Sequence, residues 1–130
     1  MDETFQQISV VGFMKHNGGL EFRKIAESVY QYKALVQEMH LNPGGITHGG
    51  FLMSLMDAGM GTAAYRSLGG EKRIATISFD IKFIAASTTG DILMGTAKVL
   101  RKTRSLVFMQ GEIRCGDTLI TTAEGIWKVL

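Results

Sequence analysis

Asn42-Pro43-Gly44-Gly45-Ile46-Thr47-His48-Gly49-Gly50 leads straight into Phe51-Leu52-Met53-Ser54-Leu55-Met56-Asp57-Ala58. A glycine-rich turn holding the chain's single proline thus opens an apolar run, and the apolar residues Phe51, Leu52, Leu55, Met56, Ala58 and Ala63 recur with helical spacing. The run predicts a helix from about Gly49 through Tyr65, closed by Leu68-Gly69-Gly70. Asp57 is the one carboxylate inside it. Aspartate is a poor helix former and is rarely buried without a partner. The turn ahead of it offers unpaired backbone N–H groups at the positive end of the helix dipole, able to hold a phosphate or polarise a carbonyl oxygen.

Beyond the helix the period changes from 3.6 to 2. Ile77, Phe79, Ile81 and Phe83 alternate with Thr76, Ser78, Asp80 and Lys82, which predicts a half-buried strand over 74–83. Gly90-Asp91 opens a second strand to about Leu100, Arg101-Lys102-Thr103-Arg104 turns, and strands follow over 105–115 and 118–130. Four strands with short turns predict an antiparallel meander. Before the helix, Leu20 to Ile25 and Ser28 to Gln37 read as extended, and residues 3–15 as ambiguous, with a short helix ahead of Asn17-Gly18-Gly19 as one reading. The fold class is α+β: one domain over 1–130, with 1–19 as an N-terminal extension and a long central helix wrapped by an antiparallel sheet. A helix apolar nearly all round is buried on more than one side, so its remaining face and the sheet edges invite a second copy of the chain. Ala58, Gly59, Gly61, Ala63 and Ala64 read as a thin face on which another backbone closes.

Composition narrows the classes. A chain of 130 residues with 45% hydrophobic and 20% charged residues reads as globular. A net charge of +2 is too small to argue for nucleic acid. The single cysteine, Cys115, allows no intrachain disulfide and fits a reducing compartment. The acidic start, Met1-Asp2-Glu3, does not read as a secretory signal, and no apolar run approaches the roughly 20 residues of a membrane span. The expected location is cytoplasmic. His16, His40 and His48 lack ligand spacing, so no metal is expected.

Asn42, Gly45, His48-Gly49-Gly50 and Asp57, followed by Ser78 before Asp80, then Phe83 through Gly90-Asp91 and the segment Val99 to Leu106, resemble the hotdog-fold acyl-CoA thioesterases of the phenylacetic-acid-degradation type. The resemblance covers roughly residues 20–130. It implies a homodimer of hotdog folds, often paired into a homotetramer as a dimer of dimers, that hydrolyses an acyl-CoA with no cofactor beyond the coenzyme A of the substrate. It further implies that Gly49 polarises the thioester carbonyl through its N–H and that Asp57 is general base or nucleophile. On the same footing, Asn42 and Ser78 position the water or the acid, and Arg101, Lys102, Thr103, Arg104 and Ser105 contact the CoA. Two features depart from the pattern: Ala85 and Ala86 stand where many relatives have a basic residue and a proline, and Thr103 where a glycine is common.

Thioester hydrolysis needs a carbonyl polariser, a group to activate water and a cleft. The N–H groups of Gly49 and Gly50 can supply the first and Asp57 the second, as base or as direct nucleophile. His48 in the turn reads as a structural or substrate-orienting residue. Gly49 and Asp57, eight residues apart, lie about 12 Å apart along a helix axis. Both must come within about 3–4 Å of one thioester and its water. Two antiparallel copies across a two-fold can achieve this, which predicts a shared site. The alternatives are a hotdog hydroxyacyl-thioester dehydratase and a non-catalytic acyl-CoA binding protein. The acyl group and the choice of dimer or tetramer stay open.

Overall fold

The computed structural model describes residues 2–130. A short strand β1 (Gln6–Gln7) and a one-turn helix α1 (Gly12–His16) precede strands β2 (Glu21–Ala26) and β3 (Val29–Leu35). The central helix α2 (Gly49–Ser67) follows, then β4 (Ile74–Phe83), β5 (Ile92–Lys102), β6 (Leu106–Cys115) and β7 (Thr118–Val129). All seven strands form one antiparallel sheet around α2, the hotdog arrangement. Among the described residues no helix is long and apolar enough to cross a membrane.

The sheet order is β1-β2-β3-β5-β6-β7-β4. The expected meander holds for β5, β6 and β7 but not for β4, which pairs only with β7 and forms an edge. The reason is α2: the strand that leaves the helix stays on the helix's far side, and β3 takes the place beside β5. The opposite edge, β1, is two residues long. The β4 edge is ten residues long and carries exposed Ile77 and Phe83, with exposed Ile84 beyond it. Such an edge is a template for another strand.

Helix α2 buries Phe51, Leu52, Leu55, Met56, Gly59, Met60, Ala63 and Ala64 against the sheet. The row Met53, Asp57, Tyr65 faces outward and remains exposed. One side of this helix is therefore open in the single chain. The small residues permit close approach where it matters most. Tyr32 of β3 is wholly buried between α2 and β5, and a Cβ at Gly59 or Gly95 would come within 2.4 and 2.1 Å of its ring. Its hydroxyl has no partner among the described residues, and burial pushes that hydroxyl well above the usual tyrosine range.

A bulge interrupts β4: Thr76 pairs with Trp127 and Ser78 with Ile126, leaving Ile77 unpaired. Regular alternation would put Thr76 on the face opposite Ile77, Phe79 and Ile81. The extra residue shifts the phase, so that Thr76 faces the helix together with Phe79 and Ile81, while Ile77 is 55% exposed.

Candidate active site

The glycine turn is held from three directions. The Asn42 Oδ1 accepts from Gly44 N–H at 2.9 Å and Ile46 N–H at 3.3 Å, the Asx-type turn that asparagine favours. Thr47 and Ser87 share a hydroxyl–hydroxyl bond of 2.6 Å, and Thr47 N–H donates to the Ser87 carbonyl at 2.8 Å. Buried His40 supplies the third anchor. Its carbonyl accepts from His48 N–H at 2.7 Å, its ring stacks on Phe51 at 3.7 Å, and its Nδ1 and Nε2 meet Gln37 N–H and the Asn17 carbonyl. A backbone donor at Nδ1 and a backbone acceptor at Nε2 together place the proton on Nε2.

This frame decides which donor at the start of α2 is available. His48 is the N-cap, and its Nδ1 accepts from Gly50 N–H at 2.8 Å. The N–H groups of Phe51 and Leu52 both reach the His48 carbonyl. Only Gly49 N–H, among the described residues, has no acceptor in this first turn. Both Gly49 and Gly50 were expected to offer donors; the cap leaves Gly49 alone. Any side chain at Gly50 would meet His48 Nδ1 at 2.9 Å, so glycine there protects the cap. The Asn42 amide nitrogen likewise has no acceptor among the described residues. Asn42 and Gly49 line one groove of about 300 Å³ together with Leu52, Phe83 and Ile84.

Asp57 lies elsewhere. It lines an open groove of about 510 Å³ between α2 and β4, with Ala58, Gly61, Thr62, Tyr65, Arg73 and Trp127. The carboxylate is exposed, and Thr76 donates its hydroxyl to Oδ1 at 2.6 Å, while Oδ2 has no partner among the described residues. Asp57 and Gly49 thus occupy different grooves of one chain. Ser78 is not brought to Asp57: its cross-strand partner is Ile126, and neighbouring Phe79 is the residue that packs on Trp127 inside the sheet. Thr76 is the residue the sequence reading missed. Its signal was a hydroxyl on the strand beside the helix, masked by an alternation that pointed the other way.

Thr76 should therefore matter through its hydroxyl. Thr76→Val is expected to lower kcat about tenfold with little change in KM, and Thr76→Ser to restore most of it. Equal kcat in the valine variant and the wild type would remove Thr76 from the site.

Arg101, Lys102, Arg104 and Ser105 are exposed at the β5–β6 hairpin. Lys102 Nζ donates to the Ser67 carbonyl at 2.9 Å, which puts this hairpin at the C-terminal end of α2. Thr103 closes the turn by accepting from Leu106 N–H at 3.0 Å. The hairpin therefore lies at the end of the helix away from Gly49. Among the described residues no three His, Cys, Asp or Glu side chains are gathered closely enough to hold a metal ion.

Known proteins match this arrangement. The model of the thioesterase superfamily matches residues 44–121. A candidate esterase of Pseudomonas aeruginosa is 28% identical over 94 residues, 72% of this chain and 70% of that protein. A candidate esterase of Caenorhabditis elegans is 30% identical over 111 residues, covering 78% of this chain and 65% of its own length. Among solved structures, a conserved protein of Pseudomonas aeruginosa superposes with a TM-score of 0.85 at 29% identity, over 94% of this chain and 97% of that one. The phenylacetic acid degradation protein PaaI of Thermus thermophilus gives 0.79 at 21% identity, covering 88% and 96%. A hypothetical thioesterase of Streptococcus pneumoniae, solved with coenzyme A, gives 0.77 at 22%, covering 86% of each chain. These last two likenesses speak for the fold alone. The matched stretch runs from the glycine turn through α2 into β7, and on that ground the chain belongs to the thioesterase superfamily.

Proposed function

We propose that the protein is an acyl-CoA thioesterase whose active site is assembled from two copies of the chain. Asp57 of one protomer activates the attacking water or attacks the thioester itself. Gly49 N–H of its partner polarises the carbonyl. The observation that carries this reading is the separation of the two halves: an open carboxylate in one groove and an open helix-terminal N–H in another. One chain cannot apply both to a single thioester, since they lie about 12 Å apart along the axis. A two-fold near the exposed Met53 would lay two α2 helices antiparallel and bring each Asp57 to the other chain's Gly49. The long unpaired edge of β4, with Ile77, Phe83 and Ile84 exposed, supports such pairing.

Within such a site Asn42 offers its amide N–H to the bound thioester or water, beside Gly49. His48 acts through its cap, since occupying Gly50 N–H keeps Gly49 as the one open donor. Arg101, Lys102 and Arg104 meet CoA phosphates at the hairpin, and a Streptococcus pneumoniae protein of the same fold was solved with coenzyme A. A dehydratase reading gains no support, because the ring nitrogen of His48 that faces the helix is spent on Gly50 N–H.

The shared site is tested by subunit complementation, with release of free CoA followed by a thiol reagent. Asp57→Asn and Asn42→Ala are each expected to be inactive as pure oligomers. Refolded together at equal amounts they should regain about a quarter of wild-type activity, because half of the dimers are mixed and each mixed dimer keeps one intact site. No recovery from verified mixed dimers would place both residues in one chain's site and end the shared-site reading.

A further inference from the structure

The groove beside Asp57 carries three hydrogen-bond donors that the protein leaves unused. Thr62 and Thr76 are committed within the chain, to the Ala58 carbonyl and to Asp57. Trp127, Tyr65 and Arg73 line the same groove, and the indole N–H, hydroxyl and guanidinium that they carry have no partner among the described residues. Trp127 is 2% exposed, yet its Nε1 is not among the sealed polar atoms: it opens beside Gly61, whose Cβ position would be 3.1 Å away. A nearly buried indole that keeps a free N–H toward a cleft is a donor waiting for a ligand acceptor.

The spacing says where that acceptor sits. Gly61 is one helical turn from Asp57, about 6 Å along the axis. Arg73 is three residues of extended chain from Thr76, about 10 Å. A zigzag carbon chain advances about 1.3 Å per bond, so these distances are spanned by about five to eight carbons. The first phosphate of coenzyme A lies some twelve bonds from its sulfur, about 15 Å when extended. The donors therefore lie nearer the reacting carbon than that phosphate would, at the reach of the far end of an acyl group.

Resting on the thioesterase reading above, we propose that this groove is the acyl subsite and that it selects acyl groups ending in a carboxylate. Arg73 pairs with that carboxylate, while Trp127 Nε1–H and the Tyr65 hydroxyl donate to its oxygens. Three donors, one of them a cation, suit an anion better than a neutral tail. Ala58 and Gly61, both small, leave the floor of the groove open for the methylene chain.

The test uses matched CoA esters that differ only at the acyl terminus: adipoyl- against hexanoyl-CoA, and suberoyl- against octanoyl-CoA. Wild type is expected to favour the carboxylated member of at least one pair by about tenfold or more in kcat/KM. Arg73→Gln should bring that ratio to about one. Hydrolysis of the neutral member as fast as, or faster than, its carboxylated partner in both pairs overturns the subsite. So does an Arg73→Gln variant that slows both members equally, since Arg73 would then serve the shared CoA. Turnover of neither member of either pair, nor of any other ester, would instead remove the thioesterase reading, and the subsite with it.

Discussion

Replacing Asp57 by asparagine or alanine is expected to cut the release of free CoA by a factor of about 10² or more while leaving the fold in place. The chemical part follows from what the carboxylate lacks. One oxygen takes the Thr76 hydroxyl at 2.6 Å, and the other has no partner among the described residues. A carboxylate aimed into a groove with a vacant oxygen can take a proton from water or attack a carbonyl, and neither asparagine nor alanine can do so. The structural part follows from exposure: Asp57 has no ion pair among the described residues, so its loss removes one hydrogen bond from a solvated position. Thermal melts of the variants should lie close to wild type. A variant that keeps wild-type turnover on the best aryl- or alkyl-CoA ester would make Asp57 a structural residue and return the protein to the class of binding modules.

Gly95→Ala is expected to be the most damaging small change in stability, at about 3 kcal/mol. The added methyl would lie 2.1 Å from Cζ of Tyr32, a ring with no exposed surface and with α2 on its other side. Backing away is blocked, because a Cβ at Gly59 would already be only 2.4 Å from the same ring. Interiors packed to crystal density absorb such an intrusion only by moving backbone. Urea unfolding at one fixed protein concentration measures the loss, since the stability of the proposed dimer would depend on concentration. Tyr32→Phe should not rescue it, because the ring carbons make the collision, whereas Tyr32→Leu in the same background should recover part. A melt within about a degree of wild type would mean that Tyr32 has room the structure denies it.

Much of this architecture was legible from residues. The glycine turn, the helix over Gly49–Ser67 and the strand over Ile74–Phe83 could be read from spacing and turn chemistry, because local pattern and tertiary burial agree there. Two things could not. Strand order at β4 was out of reach, because adjacency in sequence favours adjacency in a sheet, yet β6 and β7 lie between β5 and β4. Thr76 was hidden by the bulge at Ile77: Ile77, Phe79, Ile81 and Phe83 read as one face, yet Ile77 is the unpaired residue at which the phase shifts. One unpaired residue leaves no mark in a pattern of period 2. The cap made by His48 was similarly out of reach, since a histidine before two glycines does not reveal which N–H its ring will occupy.

The position of β4 also bears on how the chain comes to be active. Among the described residues its strand partner is β7, the last strand in sequence, about 40 to 55 residues further along by the spacing of their paired positions. During synthesis α2 and β4 leave the ribosome well before β7 exists to receive the strand. Until then β4 has no strand to pair with, and the bulge that turns Thr76 toward Asp57 is not yet formed. The Asp57 carboxylate thus gains its threonine partner only with the final hairpin, and the apolar edge of β4 lies loose in the meantime. Folding of this protein is expected to end where its chemistry begins, with a late, long-range closure that a chaperone or an early-arriving partner chain could either assist or divert.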